Sequence, residues 1–386
     1  MTPRPGLLCA LLATASLGCT ADQVRYAPLP APPTTPASVS ATLYLVGDGG
    51  EVNPHRDTVL AHLRSDIESV ARDGAGPPVV VVFLGDNVYD EGAPLEHTEE
   101  DVQKLAGQVL ALPVASNVQG VFVPGNHDWA NGASAIEGRE AVARQRQWVA
   151  SMAGGANVRF LPEDGCPGPV STELGDAATL TFIDTEWALR SPPGGECGSA
   201  GAFYDRLATE LHDHRDRPVV LLSHHPLASG GPHGGNVAPL ERGPLVYYLA
   251  TKSGVSLQDL ASRPYTAMRR GISDAIAKSG APPLIHAAGH DHTLQVIRMA
   301  GPGEPRYQLV SGALAKTSRV RRIDGTRYAT DGYGYVRLDF MDDEVRAVVF
   351  ARDALGGPVR PVFACTLSQA ASVEECPEAP LAANGG

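Results

Sequence analysis

Short runs rich in Val, Leu, Ile and Ala recur along the chain, at Ala41 to Val46, Val79 to Leu84, Gly120 to Val123, Ala178 to Ile183, Pro218 to Leu222 and Leu284 to Ala288, and glycine, proline or a polar residue stops each one. Predominantly apolar runs of this length, rich in Val, Leu and Ile, read as buried strands. Between them the period changes. Thr58 to Ala71 places Val59, Leu60, Leu63, Ile67 and Val70 at three-to-four spacing, and similar stripes occupy Val102 to Leu110, Ala141 to Met152, Ala202 to Leu211 and Tyr265 to Ile276. Such stripes predict helices with one buried face. Strands alternating with helices predict an α/β architecture with covered sheets. Near the C-terminus Tyr307 to Val310, Gly334 to Phe340 and Val345 to Ala351 alternate apolar with polar residues, which predicts antiparallel strands completing a second sheet. Two sheets face to face with helices outside accommodate both halves, and no linker divides the span 41–365. Residues 366–386 read as a tail.

The 386 residues are 43% apolar and 19% charged, enough apolar content for a large core. A formal charge of -12 opposes nonspecific binding to nucleic-acid polymers or to anionic membrane. Any recognition of phosphate must then be local, with cations to supply it.

The first nineteen residues do not read as fold. Arg4 precedes an apolar stretch from Leu7 to Leu17, and Ser16-Leu17-Gly18-Cys19 closes it, the layout of a secretory signal too short to span a bilayer. Cys19 resembles the acylated cysteine of a bacterial lipoprotein box, although Ser16 stands where that pattern prefers leucine; ordinary secretion is the alternative. Residues 20–40 form a linker, with five prolines and no charge between Ala27 and Ser38, suited to hold a domain off a surface. The expected location is the bacterial periplasm or cell surface, with membrane contact only through a lipid on Cys19. Cys166, Cys197, Cys365 and Cys376 remain as an even set, which in an exported chain suggests two disulfides. Three pairings exist, of which Cys166 with Cys197 and Cys365 with Cys376 would each staple an irregular segment locally.

The chemistry sits behind the apolar runs. Gly47-Asp48-Gly49-Gly50, Gly85-Asp86-Asn87-Val88-Tyr89, Gly125-Asn126-His127-Asp128, Ser223-His224-His225-Pro226 and Gly289-His290-Asp291-His292 each follow a predicted strand. They offer carboxylates, an amide oxygen, a phenol and imidazoles where distant parts of a sheet can converge, the donor types that bind hard or borderline metal ions. Asp86 is able to bridge two cations about 3.5–4 Å apart. Successive strand residues point to opposite faces, so one of His224 and His225 is expected in the site, whereas His290 and His292 face the same way. A second His-x-His pair, His212 and His214, lies in charged sequence and reads as surface. Taken singly, Asp48 is an ordinary turn residue, Tyr89 a loop tyrosine, and Asp128 the acceptor of a capped turn. Trp129 and Trp187 read as packing residues before stacking platforms.

In this order the patches resemble the calcineurin-like metallophosphoesterase superfamily, and Tyr89 makes them most similar to small purple acid phosphatases of the tartrate-resistant type. The resemblance runs from about Val46 to Gln295. It implies a four-layer αββα sandwich of two mixed sheets flanked by helices. It implies one metal on Asp48, Tyr89 and His292 and a second on Asn126, His224 and His290, with Asp86 bridging. The Tyr89 metal would be ferric iron and its partner iron, zinc or manganese. The implied reaction is hydrolysis of phosphate monoesters, in which two cations bring a bound water to a pKa near ~7 and hydroxide attacks in line. His127 would bind phosphate and protonate the leaving alkoxide, and His233 would be a further active-site histidine. Here the chain departs from the pattern, because Pro232 replaces the acidic residue expected before His233. A phosphodiesterase or nucleotidase, and a noncatalytic surface protein on the same scaffold, are the other readings.

Overall fold

The computed structural model describes residues 39–163, 165–190, 197–234, 258–341, 344–353, 355–367 and 376–379. The predicted signal, Cys19 and nearly all of the predicted linker lie outside them, as do most of the predicted tail and parts of the loops after Arg190 and Gly234.

Two seven-stranded mixed sheets form the centre. In chain order the first holds β1 (Ala41–Val46), β2 (Val79–Phe83), β3 (Val118–Phe122), β4 (Asn157–Phe160), β12 (Tyr333–Phe340), β13 (Val345–Asp353) and β14 (Gly356–Leu367). The second holds β5 (Val170–Leu174), β6 (Ala178–Phe182), β7 (Val219–Leu222), β8 (Ile285–Ala288), β9 (Leu294–Arg298), β10 (Tyr307–Ser311) and β11 (Thr326–Thr330). Across the first sheet the order is β14-β13-β12-β1-β2-β3-β4, and across the second β11-β9-β10-β8-β7-β6-β5. β1 to β4 run parallel to one another, as do β6, β7, β8 and β10; the outer strands pair antiparallel.

Six helices among the described residues cover this centre: α1 (Pro54–Ala71), α2 (Glu99–Leu110), α3 (Ala135–Met152), α4 (Thr185–Arg190), α5 (Ala200–Asp213) and α6 (Arg263–Ser279). The two-residue period of the strands sorts the core into layers. Leu43, Leu45, Val80 and Val82 join Val220, Leu222, Leu309 and Leu338 between the sheets. Tyr44, Val46, Val81 and Phe83 point the other way, to Val59, Leu63 and Ile67 of α1 and the rest of the helical shell. The αββα architecture is therefore present.

Several details differ from the sequence expectation. The C-terminal strands divide: β12 and β13 extend the first sheet beside β1, and β10 enters the second sheet parallel to β8. α1 begins four residues before its apolar stripe, because Asn53 accepts from the backbone N–H groups of His55 and Arg56 and Pro54 suits the first helical turn. α4 escapes the periodicity argument because Thr185 to Leu189 are all buried and leave no polar face. Both locally stapling disulfides form, Cys166–Cys197 and Cys365–Cys376. The second ties the end of β14 to Cys376, and Ala379 beyond it donates its backbone N–H to Arg327 O at 2.8 Å.

Candidate metal centre

All five patches meet at one edge of the two sheets. Asp48 follows β1, Asp86 and Tyr89 follow β2, and Asn126 follows β3, all from the first sheet; His224 follows β7, while His290 and His292 lie between β8 and β9 in the second. The order of strands puts β1, β2 and β3 side by side and β7 beside β8, so short loops suffice to bring the side chains together.

Two groups of donor atoms result. In the first, Tyr89 Oη donates to Asp48 Oδ1 at 3.2 Å and lies 3.2 Å from His292 Nε2, which is itself 3.5 Å from Asp48 Oδ1. In the second, Asn126 Oδ1 lies 3.0 Å from His224 Nε2 and 3.2 Å from His290 Nδ1. Asp86 Oδ1 is 3.4 Å from His224 Nε2, and one ligand atom each from Asp48, Asp86 and His224 lie within 4.8 Å of one another. Donors bound at ~2.1 Å around one cation stand roughly 3.0–3.4 Å apart in octahedral or tetrahedral geometry. The spacings match that edge length, and the set of oxygens and imidazole nitrogens fits divalent or trivalent first-row ions.

Surrounding bonds aim these donors. His224 Nδ1 is held by Leu84 O at 2.7 Å and His290 Nε2 by Gln258 O at 2.8 Å, which turns the opposite ring nitrogen of each inward. Asp48 Oδ2 accepts from the His290 backbone N–H at 2.9 Å, and Asp86 Oδ1 from that of His127 at 2.9 Å. Asp128 is buried and does not face the donors; its carboxylate accepts from the N–H groups of Asn87, Val88 and Gly125 and from the Asn87 side chain, knitting the second patch to the third. Asp48, Asp86 and His290 have φ of 61°, 52° and 69°, the left-handed region that residues with a Cβ seldom adopt. Strain of this kind, on the order of 1–3 kcal/mol each, persists where the surroundings dictate a side-chain direction. Gly85 and Gly125 serve close approach: a Cβ on the first would meet His224 Nδ1 at 2.6 Å and on the second Asp86 Oδ1 at 2.3 Å.

Charge follows from burial and pairing. Burial alone would raise the Asp86 carboxyl, but His224 and His127 hold it below the usual range. Burial opposes charge on His224 as well, and Asp86 overrides it and lifts the imidazole to about 10. His290 is pushed well below the usual imidazole value by burial and by the neighbouring histidines. Tyr89 is raised well above 10 by burial and then by Asp48 and Asp86, so without a cation it remains a phenol. Lys316 stands 3.6 Å above the Tyr89 ring and 3.1 Å from Glu51.

Three histidines form the open side. The His127, His292 and His233 side chains are 20%, 22% and 37% exposed, against 0% for Asp48 and His224 and 2% for Asp86. His127 Nδ1 contacts Asp90 O at 2.5 Å and its Nε2 lies 3.9 Å from Asp86 Oδ2. The His233 ring stacks obliquely on His290 at 4.3 Å. His225 is also near, and with His224 and His290 it forms a possible trio of ligands. Its ring nitrogens are already bonded to Thr185 Oγ1 and Gln258 Oε1, both at 2.8 Å, which assigns it to the supporting structure. His212 and His214 bond to Ser279 O and Glu210, away from the centre. Trp129 and Trp187 are buried, Trp129 donating to Asp184 Oδ2 at 2.8 Å.

Sequence reasoning missed the supports: Lys316, Glu186, Gln258 and Asp259 belong to no strand-end patch and are brought in by the fold. A buried acidic residue inside an apolar segment, as at Glu186, is the one signal that was available for them.

A sheet-edge cluster of buried carboxylates, amide, phenol and imidazoles on an αββα sandwich defines a metal-dependent phosphoesterase class. A family model described as calcineurin-like phosphoesterase matches residues 54–294. The chain belongs to that family. Its fold is similar to that of a solved structure titled "Structure of PhoD", with 13% identity, TM-score 0.54, and coverage of 92% of this chain and 73% of that one. It is also similar to "GAP50 the anchor in the inner membrane complex of Plasmodium", with 13% identity, TM-score 0.51, and coverage of 84% and 89%. No curated protein sequence matches the chain.

Proposed function

We propose that the protein is an exported dinuclear-metal phosphoesterase that hydrolyses phosphate monoesters. The observation that carries this reading is the convergence of seven donor side chains from two sheets at the spacing of a coordination shell. Asp48, Tyr89 and His292 would hold one ion, Asn126, His224 and His290 the other, and Asp86 would bridge. Bound there, the ions supply Lewis acidity that activates water and neutralises phosphoryl oxygens. The remaining work falls to the protein. The exposed faces of His127 and His233 receive the ester at the mouth, and His127 delivers a proton to the departing oxygen. Buried Asp128 holds the loop of His127 against the loop of Asp86, so the proton donor keeps its distance from the donor cluster. Tyr89 as a ligand favours ferric iron in the first position.

Export rests on the N-terminal sequence pattern and on two disulfides, which persist in oxidising compartments. Among the described residues no helix is long and apolar enough to cross a membrane. The Cys19 pattern alone supports membrane attachment through a lipid on that residue, with ordinary secretion as the alternative; a Cys19→Ala protein that still fractionates with membranes would disprove the lipid. Metal analysis paired with hydrolysis of an aryl phosphate monoester and an aryl phosphate diester tests the main reading. Monoester turnover with two bound ions, both lost in Asp86→Asn, is expected. Preference for the diester would move the protein to the phosphodiesterase reading. Absence of turnover in a fully loaded protein would favour a binding role, of the anchoring kind named in the GAP50 title.

A further inference from the structure

The segment around His233 contains no acid of its own: Gly230, Gly231 and Pro232 precede it and Gly234 follows. Without a partner a half-exposed imidazole has neither a fixed tautomer nor a fixed ring angle. The fold supplies a partner from elsewhere. Asp259, 26 positions downstream in sequence numbering and 1% exposed, places Oδ1 3.5 Å from His233 Nδ1. The two segments are also joined by backbone, with Leu260 N–H donating to His233 O at 2.9 Å, while His233 N–H donates to Asp291 Oδ1 at 2.9 Å on its other side. A Cβ at Gly231 would meet the Asp291 carboxylate at 2.5 Å, so the glycine before Pro232 is what lets this loop sit so close.

The residue before Asp259 extends the same support. The Gln258 carbonyl binds His290 Nε2, its side-chain oxygen binds His225 Nε2, and its amide donates to Glu186 Oε2 at 3.2 Å, where Arg190 pairs with the same carboxylate. Two consecutive residues thus touch three imidazoles. A carboxylate taken out of water is retained where it is paired and hydrogen-bonded, and one facing an imidazole fixes which ring nitrogen carries the proton.

We propose that Asp259 is the positioning residue of His233, doing from a distant segment what the missing acid before His233 would have done locally, and that Gln258–Asp259 is a clamp setting the ring directions of His233 and His290 together. This rests on the phosphoesterase reading. In it His233 hydrogen-bonds the leaving oxygen, and that bond strengthens as negative charge develops there, so Asp259 acts on kcat before KM.

The test uses the zinc-loaded protein and its Asp259→Asn, Asp259→Glu and His233→Ala variants on phosphate monoesters with nitrophenyl, phenyl and alkyl leaving groups. Asp259→Asn is expected to lower kcat about 10- to 100-fold, the scale found for lost imidazole partners, with KM within about 2-fold. The loss should be largest for the alkyl ester and smallest for nitrophenyl, and metal content and melting temperature should be retained. Asp259→Glu should recover part of kcat, and Asp259→Asn added to His233→Ala should cost nothing more. A kcat unchanged by Asp259→Asn, or a loss equal for all leaving groups and accompanied by lost zinc, would overturn the proposal. If the wild-type protein turns over no ester when loaded with zinc alone and none when loaded with iron and zinc, the phosphoesterase reading fails, and histidine 15N resonances of the zinc form still decide the pairing. Asp259→Asn should move the His233 Nδ1 resonance, and an unmoved resonance overturns the proposal whatever the activity.

Discussion

Replacing Asp128 by alanine removes the shared acceptor of four buried donor groups: the backbone N–H of Asn87, Val88 and Gly125 and the Asn87 side-chain amide, at 2.9, 3.1, 2.8 and 3.0 Å. Burial and then Asp86 raise this carboxyl to about 7, so it is a charged acceptor above that pH; hydrogen bonds to a charged acceptor contribute about 1.5–3 kcal/mol each, and a buried donor left alone costs about 1–3 kcal/mol. The groups share one carboxylate and a water would enter the space, so the losses do not add; a total of about 4 kcal/mol is expected, a large part of the 5–15 kcal/mol typical of a folded protein. Asp128→Asn keeps the shape and one acceptor oxygen but turns an amide N–H towards two donors, and about 2 kcal/mol is expected. Urea unfolding of the metal-free protein at about pH 8, where the Asp128 carboxyl is ionised, measures both. The same bonds join the Asp86 loop to the Asn126 loop, so metal stoichiometry should fall in the order wild type, Asp128→Asn, Asp128→Ala. An alanine variant within about 1 kcal/mol of wild type would refute the reasoning, as would one that keeps full metal content.

Gly125→Ala puts a Cβ 2.3 Å from Asp86 Oδ1 and 2.4 Å from the Asp86 backbone nitrogen; it should lose bound metal, read by elemental analysis, and lower the melting temperature of the metal-free protein as well. Tyr89→Phe should bleach the visible absorption of iron-loaded protein, and unchanged colour would remove Tyr89 from the ligands. Asp184 is raised from 3.8 to about 7 by burial, against the bonds it accepts from Trp187 and Trp129. The folded protein then holds this proton more tightly than the unfolded chain, so stability declines as pH rises from about 4 to about 7 and is flat above. Asp184→Asn turns its amide N–H towards one of the two donors, so it should be less stable than wild type near pH 4 and gain on it by up to roughly 4 kcal/mol between pH 4 and pH 8; a stability difference from wild type that is the same at both pH values would contradict the assignment.

The buried parallel strands were legible because β2 and β7 are unbroken apolar runs and β1 is broken only by Thr42, each run ending before glycine or a polar residue, and the donor residues were legible because they stand at those ends. Strands such as β4, with exposed Asn157, and β5, with Val170 to Glu173 only partly covered, carry too little pattern to be read. Sheet membership was also hidden: β12 and β13 alternate as expected, yet only their pairing with β1 decides which sheet they extend. The supports of the site were invisible for a related reason. Asp259 and Gln258 matter through contacts spanning 26 and 32 residues to His233 and His290, and no local rule encodes such contacts. The absence of an acid at position 232 was readable; its replacement from position 259 was not.

The proposed ligands are divided between the two sheets, with Asp48, Asp86, Tyr89 and Asn126 on one and His224, His290 and His292 on the other. Each ion would rivet the halves of the sandwich at one rim, making loading and folding a single linked equilibrium. Free metal would then act as a thermostat on the architecture, adding stability that grows with the logarithm of its concentration. A cell that starves this protein of metal would be left with a looser sandwich as well as an idle pocket.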